Sequence, residues 1–147
     1  MPRLQRTPLQ LAPLLALVGA PACGALATFS GIVRDHHAGR AVSSLSYTAY
    51  EPMAEMICEN IVVEAEARFT VRVALLHRLG EVPIGEAAVL VVVGSAHRGP
   101  AFEALRWVID ELKQRVPIWK RERYGDGSEA WVDPTAAGGT QPVQAFP

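Results

Sequence analysis

Lysine is nearly absent from this chain. Of its 14 basic residues only Lys113 and Lys120 are lysines, seven positions apart, and the rest are arginines. Arginine stays protonated at any working pH, whereas a lysine ammonium loses its proton readily on burial and can then serve as an acid, a base or a nucleophile. A chain that keeps lysine only here has Lys113 and Lys120 as its first candidates for amine chemistry, set against an arginine-rich composition that leaves two lysines by accident.

Other scarcities exclude other functions. The two cysteines, Cys23 and Cys58, form no CxxC pair, so neither a zinc site nor a disulfide scaffold is indicated. Cys58 falls on an apolar helical stripe and reads as a buried thiol. The net charge is −1, which removes the global electrostatic case for nucleic acid or an anionic membrane and leaves anion binding to local clusters. No apolar run is long enough to span a bilayer. Leu9 to Val18, after Arg3 and Arg6, imitates a secretory signal, but Pro13 interrupts it and Pro21 sits badly before the would-be cleavage site. We read 9–18 as a short amphipathic helix and the protein as cytoplasmic.

What is present fits one domain over residues 1–133, with half of the whole chain apolar, followed by a flexible tail over 134–147 rich in Ala, Gly, Pro, Thr and Gln. Residues 24–34 and 41–50 read as strands forming a hairpin about the turn 35–40. Pro52 opens a helix to about Ala67, with Met53, Ile57, Ile61 and Ala65 repeating at four and Ala54, Cys58 and Val62 beside them. Strands follow at 69–77 and 87–96. The second carries an unbroken Val-Leu-Val-Val-Val run, which implies burial on both faces and a central position. A helix from Ala101 to Val116 buries Ala101, Leu105, Val108, Leu112 and Val116 and stops at Pro117. Strands at 118–124 and 130–132 close the domain. The order α-ββ-α-ββ-α-ββ predicts an α+β fold with largely antiparallel sheet.

The chemistry concentrates in three places. His97-Arg98 ends a buried strand at a helix start, where free N–H groups, a guanidinium and an imidazole suit a phosphate or carboxylate; Arg34, ending another strand, can add a second fork. The competing reading has Arg98 capping a neighbouring carboxylate and His97 in the core. His77-Arg78 lies a strand length from His97, roughly 30 Å, and reads as structural. The tandem His36-His37, in a turn without carboxylate or cysteine spacing, is a weak metal signal. Lys113 lies in the last turn of its helix, in line with Phe102 and Ile109, its stem partly buried. Lys120 and Glu122 share a strand face, while Trp119 and Trp131 read as cross-hairpin packing.

Four ordered motifs carry a resemblance over about residues 14–133: Phe29-x-Gly31-x-Val33-Arg34, His77-Arg-x-Gly80, Ser95-Ala-His97-Arg98-x-x-Ala-Phe102, and Leu112-Lys113-x-x-x-Pro117-x-Trp119-Lys120-x-Glu122. Together they resemble the catalytic (large) subunit family of molybdopterin synthase. The resemblance implies an α/β hammerhead fold, a homodimer, and a heterotetramer with two small ubiquitin-like sulfur carriers whose C-terminal Gly-Gly thiocarboxylate enters the active site. It implies transfer of two sulfurs to cyclic pyranopterin monophosphate, with no cofactor and no metal. It makes Lys113 and Lys120 catalytic and assigns substrate contacts to Phe29, Ile32, Val33, Arg34, His97, Arg98, Arg121 and Glu122. Ile32 departs from the basic residue of many relatives, leaving a backbone contact at that position.

Gly99 and Lys113 are 14 helical residues apart, roughly 21 Å, too far to grip one small substrate together. The expected site is therefore shared, His97-Arg98 of one subunit facing Lys113 and Lys120 of the other. The alternative is a non-enzymatic adaptor that binds a ubiquitin-like tail, which would have no use for a phosphate site. A phosphate-ester hydrolase lacks its acid pair, nucleophile triad or metal set.

Overall fold

The computed structural model describes residues 1–132 and the short strand 142–143. The elements run β1 (Leu4–Gln5), α1 (Leu11–Val18), β2 (Ala25–Ile32), β3 (His36–His37), β4 (Arg40–Ala49), α2 (Glu51–Phe69), β5 (Arg72–Arg78), β6 (Gly80–Val82), β7 (Ala87–Ser95), α3 (Arg98–Arg115), β8 (Ile118–Tyr124), β9 (Glu129–Val132) and β10 (Pro142–Val143). Apart from β10, the expected tail over 134–147 lies outside the described residues. Among the described residues no helix is long and apolar enough to cross a membrane.

Two sheets divide the work. The first has the order β1-β5-β7-β2, antiparallel except where β1 joins β5, and β7 is central as the valine run predicts. Its alternation explains that run. Val91 and Val93 face a core built with α2 and α3, while Leu90 and Val92 face α1 through Leu14 and Val18. The apolar N-terminal run thus folds as α1 against the back of the sheet. α2 buries Ala54, Cys58, Ile61, Val62 and Ala65, whereas Met53 is exposed. The stripe is rotated from the predicted one because small residues let α2 approach the sheet and α3 closely. α3 begins at Arg98, three residues before the expected Ala101, and buries Ala101, Ala104, Val108 and Leu112.

The second sheet has the order β10-β9-β8-β4-β3, with β6 also pairing β4. Here the structure overturns one expectation: β2 and β4 do not form a hairpin. β2 pairs with β7 in the first sheet, and β4 pairs with β8 in the second. The reason is local. β2 shifts register between Gly31 and Ile32, and beyond it the chain leaves the first sheet, its Val33 N–H bonding Glu86 O. A tight turn at Ala38-Gly39, both at positive φ (51° and 77°), then pairs His36-His37 with β4. The chain leaves the first sheet again at Gly80, whose φ of +82° turns β5 into β6. The cleft described next opens where the two sheets and α3 meet.

Candidate active site

Phe29, Gly31 and Ile32 from β2, Tyr47 from β4, His77 from β5, Ile109 and Lys113 from α3, and Ile118 and Lys120 from β8 line one cleft of about 230 Å³. Gly31 is required there: a Cβ would stand 2.6 Å from Val89 Cγ1 and crowd the Phe29 ring. Both lysines of the chain converge on this cleft from different elements. The Pro117 stop makes that possible, because it ends α3 just after Lys113 and lets β8 bring Lys120 back along the same wall. Ile109 lines the cleft with Lys113 as their four-residue spacing predicts. Phe102, about two turns before Ile109, is 63% exposed and outside it. Lys113 itself is exposed, at the rim rather than partly sunk.

Lys120 is the more enclosed amine, its side chain 23% exposed. Burial holds it below the ordinary lysine range, the charges of Arg34 and Lys113 push the same way, and Glu122 opposes them. Lys120 Nζ lies 3.8 Å from Glu122 Oε1. Glu122 is 1% exposed and, among the described residues, its Oε2 has no hydrogen-bond partner. Burial and the Glu122 charge together push the Tyr47 phenol up to about 12. A smaller recess continues from the cleft along Ile32, Arg34, His36, His37, Tyr47, Lys120 and Glu122, so Arg34 and Glu122 belong to the same neighbourhood. Val33 is buried in the core of the second sheet, and its backbone N–H and C=O are already bonded to Glu86 O and Gly85 N.

Other expected residues stand apart. Arg121 points to the opposite face of β8, beside Ser44, Ser46, Glu81 and Arg123, with its guanidinium 5.8 Å from the Trp131 ring centroid. Period two in a strand requires that, since Lys120 and Glu122 hold the inner face. Trp119 and Trp131 share the outer face, where the register sets Trp131 opposite Arg121. His97 precedes the first turn of α3 without a side-chain capping bond, and both it and Arg98 are exposed, far along the helix from Lys113. Neither lines the lysine cleft.

Sequence reasoning missed two histidines. His77, expected to be purely structural, is buried but forms part of the cleft wall, edge-on to Tyr47 with ring centroids 5.1 Å apart. Burial pushes it down to about 4 and its Nδ1–H donates to Arg78 O at 2.9 Å, so it is neutral at pH 7. His37 turns inward to Glu122 Oε1 at 2.7 Å, while His36 turns outward to Asp35. The strand alternation of β3 separates them, and that two-residue strand is too short to read from sequence.

An amine pair at a largely apolar cleft, with a buried carboxylate behind one amine, suits acyl or group-transfer chemistry. The comparisons agree. A model of the MoaE family, described as MoaE protein, matches residues 4–115. The molybdopterin synthase catalytic subunit of Culex quinquefasciatus is 46% identical over 121 residues, covering 80% of this chain and 77% of its own. A solved molybdopterin synthase from Staphylococcus aureus superposes with a TM-score of 0.84 at 32% identity, covering 88% of this chain and 95% of that one. A complex of subunits 1 and 2 of the molybdopterin-converting factor from Helicobacter pylori superposes with a TM-score of 0.72 at 26% identity, covering 97% and 94%. The chain belongs to the MoaE family of molybdopterin synthase catalytic subunits. It is accordingly an enzyme, a sulfurtransferase of molybdenum cofactor biosynthesis.

Proposed function

We propose that this chain converts cyclic pyranopterin monophosphate to molybdopterin, taking each sulfur from the C-terminal Gly-Gly thiocarboxylate of a small ubiquitin-like carrier. The observation that carries the reading is the convergence of Lys113 and Lys120 on one cleft, in a chain that otherwise uses only arginine. An extended Gly-Gly tail is slim enough for a cleft walled by Phe29, Ile32 and Ile109, and two amines at its end meet the thiocarboxylate carbon. Sulfur arrives on the partner, so the free Cys23 and Cys58 have no part in the transfer. Two unpaired thiols also fit a reducing compartment, which supports a cytoplasmic setting for the reaction.

The phosphate grip is supplied by a second copy. His97 and Arg98 sit exposed at the N-terminus of α3, where free backbone N–H groups favour an anion. They stand a helix length from Lys113 of their own chain, so in a homodimer they serve the lysines of the partner, and two carriers complete a heterotetramer. Arg34, in the recess beside Lys120, adds charge for the substrate from the same subunit.

The test is an assay of pterin dithiolene formation from cyclic pyranopterin monophosphate and thiocarboxylated carrier. Formation of the dithiolene supports the enzyme. Carrier binding without sulfur transfer favours an adaptor that only grips a ubiquitin-like tail.

A further inference from the structure

We propose that His37 is a positioning residue that occupies Glu122 Oε1 and so keeps the Lys120 ammonium from closing onto that carboxylate. Its effect on sulfur transfer rests on the function proposed above; its effect on Lys120 does not.

The geometry is specific. His37 Nδ1 and Lys120 Nζ address the same oxygen, Oε1 of Glu122, at 2.7 and 3.8 Å. A carboxylate only accepts, so the His37 nitrogen at 2.7 Å carries the proton. The lysine, at 3.8 Å, is near enough for attraction but too far for a hydrogen bond. Both members of the short contact are enclosed, with side chains 11% and 2% exposed. With His37 donating to the oxygen that faces Lys120, the carboxylate shares its charge between an imidazole N–H and the ammonium and holds the ammonium more loosely. The same carboxylate without His37 would draw Lys120 into a direct ion pair and take its amine away from the cleft.

The backbone commits His37 to this task. It leads directly into the Ala38-Gly39 turn, where Ala38 is held at φ 51°, a conformation a residue with a Cβ adopts only under constraint. On the far side of the turn, Arg40 lies 3.6 Å over the Tyr124 ring and reaches Ser128 Oγ at 2.6 Å and Asp126 at 3.2 Å. The hairpin is thus tied to β8 and the turn after it, the segment that bears Lys120 and Glu122. Nothing comparable fixes His36, which is exposed.

The groups that face Lys120 and its Glu122 partner are His37 from β3, Tyr47 from β4, His77 from β5, Tyr124 from β8, Arg34 beyond β2 and Lys113 from α3. Of these His37 alone would be changed in the test. With just two lysines in the chain, competitive amine labelling read by mass spectrometry reports each separately as a function of pH. His37→Asn keeps an N–H donor at the position of Nδ1, and His37→Leu removes it. His37→Gln moves the donor one methylene outward and replaces His37→Leu if that variant does not fold. We expect the Lys120 labelling midpoint to rise by about one pH unit in His37→Leu or His37→Gln and to stay in place in His37→Asn, with Lys113 unmoved throughout. Dithiolene formation should fall about tenfold or more in kcat, with little change in KM for the carrier, and return in His37→Asn. A Lys120 midpoint that stays put or drops in a folded His37→Leu or His37→Gln protein overturns the inference. A raised midpoint in a protein whose parent forms no dithiolene upholds it and overturns the proposed reaction instead.

Discussion

Glu122 Oε1 stands 3.8 Å behind Lys120 Nζ, and the carboxylate that bears it is 1% exposed. The pair is a poised charge rather than a surface ion pair. Burial lowers the pKa of the Lys120 ammonium and Glu122 partly restores it. Glu122→Gln removes the restoring charge. The Lys120 labelling midpoint should then drop further, and the protein should lose about 1–3 kcal/mol of stability in chemical denaturation, because a buried contact is left poorly matched. A midpoint that rises would mean that Glu122 is not ionised beside Lys120.

Lys120→Arg separates charge from proton chemistry. Arginine keeps a cation in the cleft but cannot release its proton at a working pH. If the amine must exchange a proton or attack, Lys120→Arg should be as damaged as Lys120→Ala, about 100-fold or more in kcat. Activity within a few-fold of the parent would reduce Lys120 to an electrostatic anchor.

His77 makes the fold acid-sensitive. Its native value of about 4 lies below the ordinary histidine value of 6.5, so between those values the unfolded chain binds a proton that the native one does not. Its contribution is therefore complete above pH 6.5 and lost as pH falls toward 4, on the order of 3 kcal/mol in all. His77→Phe keeps an edge-on ring against Tyr47 and does not titrate. Its unfolding free energy should fall less between pH 7 and pH 4.5 than that of the parent. Equal losses would show His77 to be protonated in the native state.

A shared site predicts complementation. Lys113→Ala and Arg98→Ala should each be inactive alone, yet regain part of the activity after mixing and verified subunit exchange, because some heterodimers then hold one intact site. No recovery would return His97 and Arg98 to another role.

The helices and the central strand were legible because each has a strong local signal. The valine run reads as a strand buried on both faces, and Pro52 and Pro117 punctuate two helices. The site lysines were legible through scarcity. The partners of β2 and β4 were not, because a strand's composition does not say which of two sheets it joins. That choice turns on a register shift at Gly31 and on a turn forced at Ala38-Gly39. His37 was hidden for the same reason, since its partner Glu122 is 85 residues away and meets it only through the pairing of β4 with β8. Arg121, which the resemblance names as a substrate contact, lies on the opposite face of β8 from Lys120 and Glu122, because successive strand residues alternate in direction.

The central claim is that the two lysines at one cleft move sulfur from a carrier tail to a pterin. The most direct measurement follows dithiolene formation in a single turnover, from thiocarboxylated carrier and cyclic pyranopterin monophosphate, with Lys113→Ala alongside the parent and carrier affinity measured for both. The account predicts dithiolene from the parent, a rate at least about 100-fold lower from Lys113→Ala, and carrier binding retained in the variant. Dithiolene formed at the parent's rate by a Lys113→Ala protein that still binds the carrier would contradict it.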